Sequence, residues 1–200
     1  MASETLDLTL ARRGFRNGES AAADLKRLPG ISEELVEQIA GVAAPDTALS
    51  SLAAIADSWD AKKLLKALEK DDDLRQRLLV VLGTSEAFGS FLARHPEALT
   101  DLGADTLSRT PPALDRMRRT METASAADEL RVTYRRALLG VAARDLTALT
   151  SFEESSAELA DLAVATLGAA LAIGRAGEED AARRRLASIA PGETSGRKVP

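Results

Sequence analysis

The sequence predicts an all-α protein: a multi-helix bundle of about nine to eleven helices, centred on two long antiparallel helices at about 126–147 and 152–176. Three observations lead there. Hydrophobic residues make up 45% of the 200-residue chain, yet it has only four Phe, one Tyr and one Trp, so its core must be aliphatic, the usual material of helical bundles. Apolar residues recur at steps of three and four, bounded by Ser, Asp, Gly and Pro at helix-start and helix-stop positions. The stretch from Ser125 to Ala176 holds the two longest proline-free periodic segments.

In chain order, Thr5 to Arg13 reads as a short helix ended by Gly14, with Phe15 anchoring the loop. Glu19 to Leu28 is a second helix, stopped by Pro29-Gly30. Ser32 caps a third, with Leu35, Val36, Ile39 and Ala40 inward, which runs to Pro45. Asp46 is the expected cap of a fourth, whose Leu49, Leu52, Ala56 and Trp59 share helical spacing and read as core. Asp60 to Lys70 buries Leu64, Leu65 and Leu68 and turns its lysines outward. Asp71-Asp72-Asp73 sits directly before Leu74, Leu78, Leu79 and Leu82; it reads as a helix N-terminus rather than a metal site, because carboxylates there cap amides and complement the dipole. Thr84 or Ser85 starts the next helix, with Phe88, Phe91 and Leu92 inside, and the one histidine, His95, ends it beside Pro96 as a local cap. Pro111-Pro112 precedes a basic helix, Ala113 to Met121.

The long pair follows. Ser125-Ala126-Ala127-Asp128 is a capping-box-like start, and Ser151-Phe152-Glu153-Glu154 a full Ser-x-x-Glu box. The first long helix carries two apolar stripes, Leu130, Tyr134, Leu138 and Val141 on one side and Val132, Leu139, Ala143 and Leu146 on another, which marks it as central. In the second, Leu159, Leu162, Ala163, Thr166, Ala170 and Ile173 are expected to form the packed face, and its alanines admit a close neighbour. Gly177 is the expected stop, with Glu178 to Ile189 as one more helix carrying Arg183, Arg184 and Arg185 on its surface. The domain reading is a helical unit over 1–189 and a linker over 190–200.

Charge and composition narrow the function classes. A net charge of -5 at pH 7 argues against a general nucleic-acid binder, which needs a basic surface to displace counterions. No cysteine occurs, which removes disulfides and thiolate chemistry and fits a cytoplasmic protein. No basic-then-apolar leader is present, and no apolar run looks long enough to span a membrane. No nucleic-acid and no membrane partner is therefore expected.

Four short stretches carry a family resemblance. Leu10-Ala11-Arg12-Arg13-Gly14-Phe15, then Leu82-Gly83-Thr84-Ser85 with Leu92-Ala93-Arg94-His95-Pro96, then Leu130-Arg131 through Arg135-Arg136, and Ala142-Ala143-Arg144-Asp145-Leu146 occur in this order. The chain resembles the N-terminal helical region of bacterial, actinobacterial-type, bifunctional glutamine synthetase adenylyltransferase/adenylyl-removing enzymes. Gly140 departs from the family, which tends to carry an arginine there. The resemblance implies a full-length nucleotidyltransferase that moves AMP from ATP to a glutamine synthetase tyrosine and removes it with phosphate, giving ADP. It also implies ATP and Mg2+, the metal held by paired aspartates after a Gly-Ser turn.

That catalytic signature is not found here. Gly89-Ser90 is followed by Asp101-Leu102-Gly103, but the second carboxylate is missing and the context is helical. The 200 residues are expected to be inert alone, with no catalytic, cofactor-binding or metal residue, and to act as a structural and regulatory piece in control of nitrogen assimilation. The implied partners are the adjoining nucleotidyltransferase domain of the same chain, glutamine synthetase and a nitrogen-signalling protein. Arg131, Arg135, Arg144 and Asp145 are the candidate contact residues, with ordinary helix–helix ion pairing as the competing role for each. The alternative is a free-standing helical protein-interaction module.

Overall fold

The computed structural model describes the backbone of residues 10–189 and the side chains of residues 10–181. The expected linker over 190–200, most of the first expected helix, and the side chains of Arg183, Arg184 and Arg185 lie outside that range. Every regular element among the described residues is helical. After a helical turn at 10–12 come α1 (Gly18–Lys26), α2 (Glu33–Ala40), α3 (Pro45–Ser58), α4 (Ala61–Lys70), α5 (Asp72–Leu82), α6 (Glu86–Arg94), a 3-10 segment (Pro96–Leu102), α7 (Leu114–Met121), α8 (Ala127–Leu146) and α9 (Phe152–Ile189).

Most helix starts obey local capping chemistry. Ser32 accepts from the Leu35 amide, Asp60 from Lys63, Asp71 from Leu74 and Ser85 from Phe88. Ser151 and Glu154 form the reciprocal box: the Glu154 amide donates to Ser151 Oγ at 3.2 Å, and the Ser151 amide donates to Glu154 Oε2 at 2.8 Å. Two starts differ from expectation. Pro45 takes the first position of α3, where its missing N–H costs nothing, and Asp46 instead accepts from the Arg16 and Asn17 amides, tying α3 to the start of α1. At α8 the cap residue is Ala126, and Ser125 does not accept from the first turn; its amide and hydroxyl both donate to Glu129 Oε2 at 2.8 Å.

Two apolar clusters result. The larger is built from α1 to α6 and the 3-10 segment, with Leu49, Leu52, Ile55, Leu78, Leu82 and Phe91 fully buried. At its centre α3 crosses α6 closely. Gly89 makes this possible, because a Cβ there would run into Ser51 Oγ and lie 2.6 Å from Ser51 Cβ. Gly89 is therefore a helix-crossing residue, and the Gly89-Ser90 pair lies within α6. Trp59, expected in the core, is 38% exposed. It falls one residue past the end of α3, at φ -108° and ψ -86°, where the helical phase of Leu49, Leu52 and Ala56 no longer applies.

The smaller cluster joins Met117 and Met121 of α7, Leu130 and Val141 of α8, and Leu162, Ala165 and Ala169 of α9. The two stripes of α8 explain the join. Leu139 and Ala143, with Val132 beside them, belong to the larger cluster, while Leu130 and Val141, with Tyr134 and Leu138, belong to the smaller. Thus α8 is the shared wall, and α9 packs on α7 and α8 away from the main core.

The long second helix also runs further than expected. Gly177 does not stop it, and the segment 178–189 is its continuation. A glycine ends a helix by taking a left-handed conformation, and Gly177 does not; in a helix interior it costs only about 1 kcal/mol. At 38 residues α9 is about 57 Å long, far beyond the reach of the 20-residue α8.

Candidate functional site

The local chemistry of the turn between α8 and α9 fixes how the two helices face each other. The Leu149 amide donates to the Arg144 carbonyl at 2.8 Å and the Ala148 amide to the Asp145 carbonyl at 3.0 Å, a Schellman ending. Its left-handed position, normally glycine, is Ala148 at φ 53°. Thr150 Oγ1 and Ser155 Oγ then lie 2.9 Å apart, and the Ser151–Glu154 box starts α9 antiparallel to α8.

This turn brings Arg144 of α8 against Glu158 of α9. Arg144 Nε donates to Glu158 Oε2 at 3.1 Å and Nη2 donates to Oε1, a two-pronged ion pair. Arg144 is 5% exposed and Glu158 3%. The pair sets the phase of α9: with Glu158 inward, Ser155, Leu162, Ala165 and Ala169 follow it into the interface. Leu159, Ala163 and Ala170, expected on the packed face, turn to solvent, while Thr166 and Ile173 sit half-buried at its edge.

Beside this pair lies a groove of about 720 Å³ between α7, α8 and the loop after the 3-10 segment, lined by Arg116, Arg136, Arg144, Thr133, Asp101 and Glu158 among others. Two of its three arginines are paired across elements. Arg136 donates to both oxygens of Asp101 at 2.7 Å, and this bonding holds the guanidinium's pKa above its usual value. Gly140 is buried at the groove's floor, where a Cβ would sit 3.5 Å from Leu107 Cδ1 and 3.6 Å from Arg144 Nη2, so a larger side chain there would enter the groove next to Arg144.

The four candidate contact residues do not form one cluster. Arg131 and Arg135 are exposed, one turn apart on the N-terminal half of α8, with Arg131 paired to Asp128. Asp145 is exposed at the far end of the helix. Arg144, next to it in sequence, points inside and is held by Glu158. That pairing is the helix–helix role weighed against surface contact for this residue.

The acidic run Asp71-Asp72-Asp73 is engaged as structure. Asp71 Oδ1 accepts from the Leu74 amide and Oδ2 from the Ala104 amide; burial pushes its carboxyl up, but these bonds and the nearby Arg77 bring it below its usual value. Asp72 pairs with Arg75 and Asp73 with Arg77. This donor set does not fit a Mg2+ site, since every carboxylate is occupied by a cap or a cation. His95 stands at the α6 end with Nδ1 3.3 Å from Glu97 Oε1 and its ring 5.0 Å from that of Phe91.

The feature that sequence reasoning missed is on the outer side of α9. Phe152, Leu159, Val164, Leu167 and Leu171 are 80%, 45%, 47%, 65% and 60% exposed. The stretch Phe152–Ala181 is, by length and composition alone, apolar enough to cross a membrane, which corrects the expectation that no run reached that length. Glu158 and Asp161 near its start had masked how apolar the remainder is.

Comparison with known proteins places these elements. The family described as glutamate-ammonia ligase adenylyltransferase matches residues 75–185, from α5 through most of α9. Relatives named bifunctional glutamine synthetase adenylyltransferase/adenylyl-removing enzyme include one from Streptomyces coelicolor, 40% identical, and one from Streptomyces avermitilis, 38% identical; both alignments cover 95% of this chain and 20% of the relative. The relative from Mycolicibacterium smegmatis is 34% identical over 90% of this chain and 20% of its own. No solved structure matches. The chain spans about a fifth of the length of these relatives. On the match across α5 to α9, this chain belongs to the glutamate-ammonia ligase adenylyltransferase family.

Proposed function

We propose that this chain is the N-terminal, structural and regulatory region of an enzyme that adds AMP to a tyrosine of glutamine synthetase and removes it with phosphate, in control of nitrogen assimilation. The observation that carries the reading is the alignment of 95% of this chain with 20% of relatives bearing that name. On this reading ATP and Mg2+ act in the nucleotidyltransferase domains of the full-length protein. The helical region lacks the metal-binding Gly-Ser/Asp-x-Asp motif and contributes packing and docking in the cytoplasm. Support for inertness comes from the Gly89-Ser90 pair lying inside α6, with Gly89 packed on Ser51, rather than in a turn that follows a strand. The adjoining nucleotidyltransferase domain, glutamine synthetase and a nitrogen-signalling protein are its partners, with Arg131, Arg135 and Asp145 as the exposed contact residues.

The test is turnover by the purified 200-residue chain. With glutamine synthetase, ATP and Mg2+ it transfers no AMP, and with adenylylated glutamine synthetase and phosphate it releases no ADP, whereas the polypeptide from the whole reading frame does both. Measurable turnover by the short chain contradicts the assignment. The second reading, a free-standing helical interaction module, draws on the large closed core of α1 to α6, the 3-10 segment and one stripe of α8; a stop codon directly after Pro200 decides for it.

A further inference from the structure

The outer face of α9 carries most of the large apolar side chains that are exposed among the described residues. Leu159, Val164, Leu167 and Leu171 lie within one sector of the helix, with the exposed Ala160, Ala163 and Ala170 between them, so the face is both apolar and low in relief. Its edge continues into an apolar groove of about 310 Å³ between α8 and α9, floored by Leu130, Tyr134, Ala170 and Ile173. We infer that this face is the seat of an apolar surface in the part of the same polypeptide that lies C-terminal to this chain. The inference rests on the reading above, that the chain is a region of a longer protein.

Three observations select that occupant. The chain aligns with only 20% of its relatives' length, which leaves four-fifths of such a polypeptide to provide a cover. The face belongs to the last helix among the described residues, so polypeptide that follows is tethered near its end and meets the face at a high effective concentration. A membrane span is disfavoured by the neighbours, since α7 and α8 flank the middle of α9 while exposing Arg118, Arg119, Arg131 and Arg135, costly groups in hydrocarbon.

The experiment uses the absence of cysteine from this chain. Leu167→Cys, with Lys66→Cys on the exposed side of α4 as the reference, is introduced into the 200-residue chain and into the polypeptide encoded by its whole reading frame. Alkylation is read by mass spectrometry on the peptide that carries the new thiol. In the short chain the two thiols react at similar rates; in the long one Leu167→Cys slows by at least about tenfold while Lys66→Cys is unchanged, because reactivity follows exposure. Equal rates for Leu167→Cys in both polypeptides overturn the inference. So does protection in the short chain that grows with its concentration, which would make a second copy the cover, or protection that needs added phosphatidylglycerol vesicles, which would make it lipid. AMP transfer by the long polypeptide separates the two levels of the argument: transfer with a freely reacting Leu167→Cys sinks this inference alone, and no transfer sinks the functional reading whatever the thiol does.

Discussion

The two halves of the molecule solve the same problem, burying aliphatic helices, with different completeness. In α1 to α6 the helices are 8 to 14 residues long, and their apolar faces close on one another around Leu52, Leu78 and Phe91. In α7 to α9 one 38-residue helix packs, among the described residues, mainly on two neighbours, and it carries five of the seven large apolar side chains that are exposed among those residues. The first region closes with one stripe of α8, Leu139 and Ala143, as its last wall. The second has buried one face of α9 and left the opposite one open, which is what a helix at the edge of a larger assembly does.

The comparison can be broken most severely at the pair that sets the phase of α9. Arg144→Ala leaves the Glu158 carboxylate buried without its partner and is expected to destabilise the chain by about 3–5 kcal/mol in urea unfolding. Arg131→Ala, which removes an exposed pair, changes nothing measurable. Next in size is a contrast between leucines: Leu52→Ala in the closed core costs about 2–5 kcal/mol, whereas Leu167→Ala in the same 200-residue chain stays within about 0.5 kcal/mol. Equal losses at the two positions would mean that α9 is already covered.

A smaller effect of opposite sign is expected at the turn between the long helices. Ala148 holds a left-handed conformation at φ 53° that glycine adopts freely, so Ala148→Gly should stabilise by about 1 kcal/mol, seen as a higher melting temperature. The smallest effect is on pH dependence. The Ser125 amide and hydroxyl hold Glu129, and the Ser151 amide and hydroxyl hold Glu154, each below the usual glutamate pKa. Their contribution is therefore complete above the ordinary value of about 4.3 and is lost as pH falls through the lower folded value. A Glu129→Gln/Glu154→Gln variant should lose less stability between pH 5 and pH 3 than the parent, with about the same slope at neutral pH; an identical acid limb would contradict the capping account.

Much of the fold was legible because its signals are local. Ser32, Asp60, Asp71, Ser85 and the Ser151–Glu154 box each act within four residues, and the two stripes of α8 announce its two-sided burial. What could not be read depends on partners far along the chain. Asp46 looks like a cap until it meets the amides of Arg16 and Asn17, and Trp59 looks like core until α3 stops one residue short. The contact residues divide along the same line. Arg131, Arg135 and Asp145 are as exposed as an isolated helix would make them, while the place of Arg144 depends on a turn that presents Glu158 fourteen residues later. In an alanine-rich helix such as α9, steps of three and four fit more than one face, so only that ion pair decides which leucines are buried and which await a partner.

The central claim, that the N-terminal cluster is complete while α9 is not, is tested most directly by hydrogen exchange read by mass spectrometry on the 200-residue chain and on the polypeptide from the whole reading frame. The account predicts equal protection of α3 and α5 in the two, and slower exchange across residues 159–181 of α9 in the longer polypeptide. Unchanged exchange across that stretch, or a matching gain in α3 and α5, would contradict it.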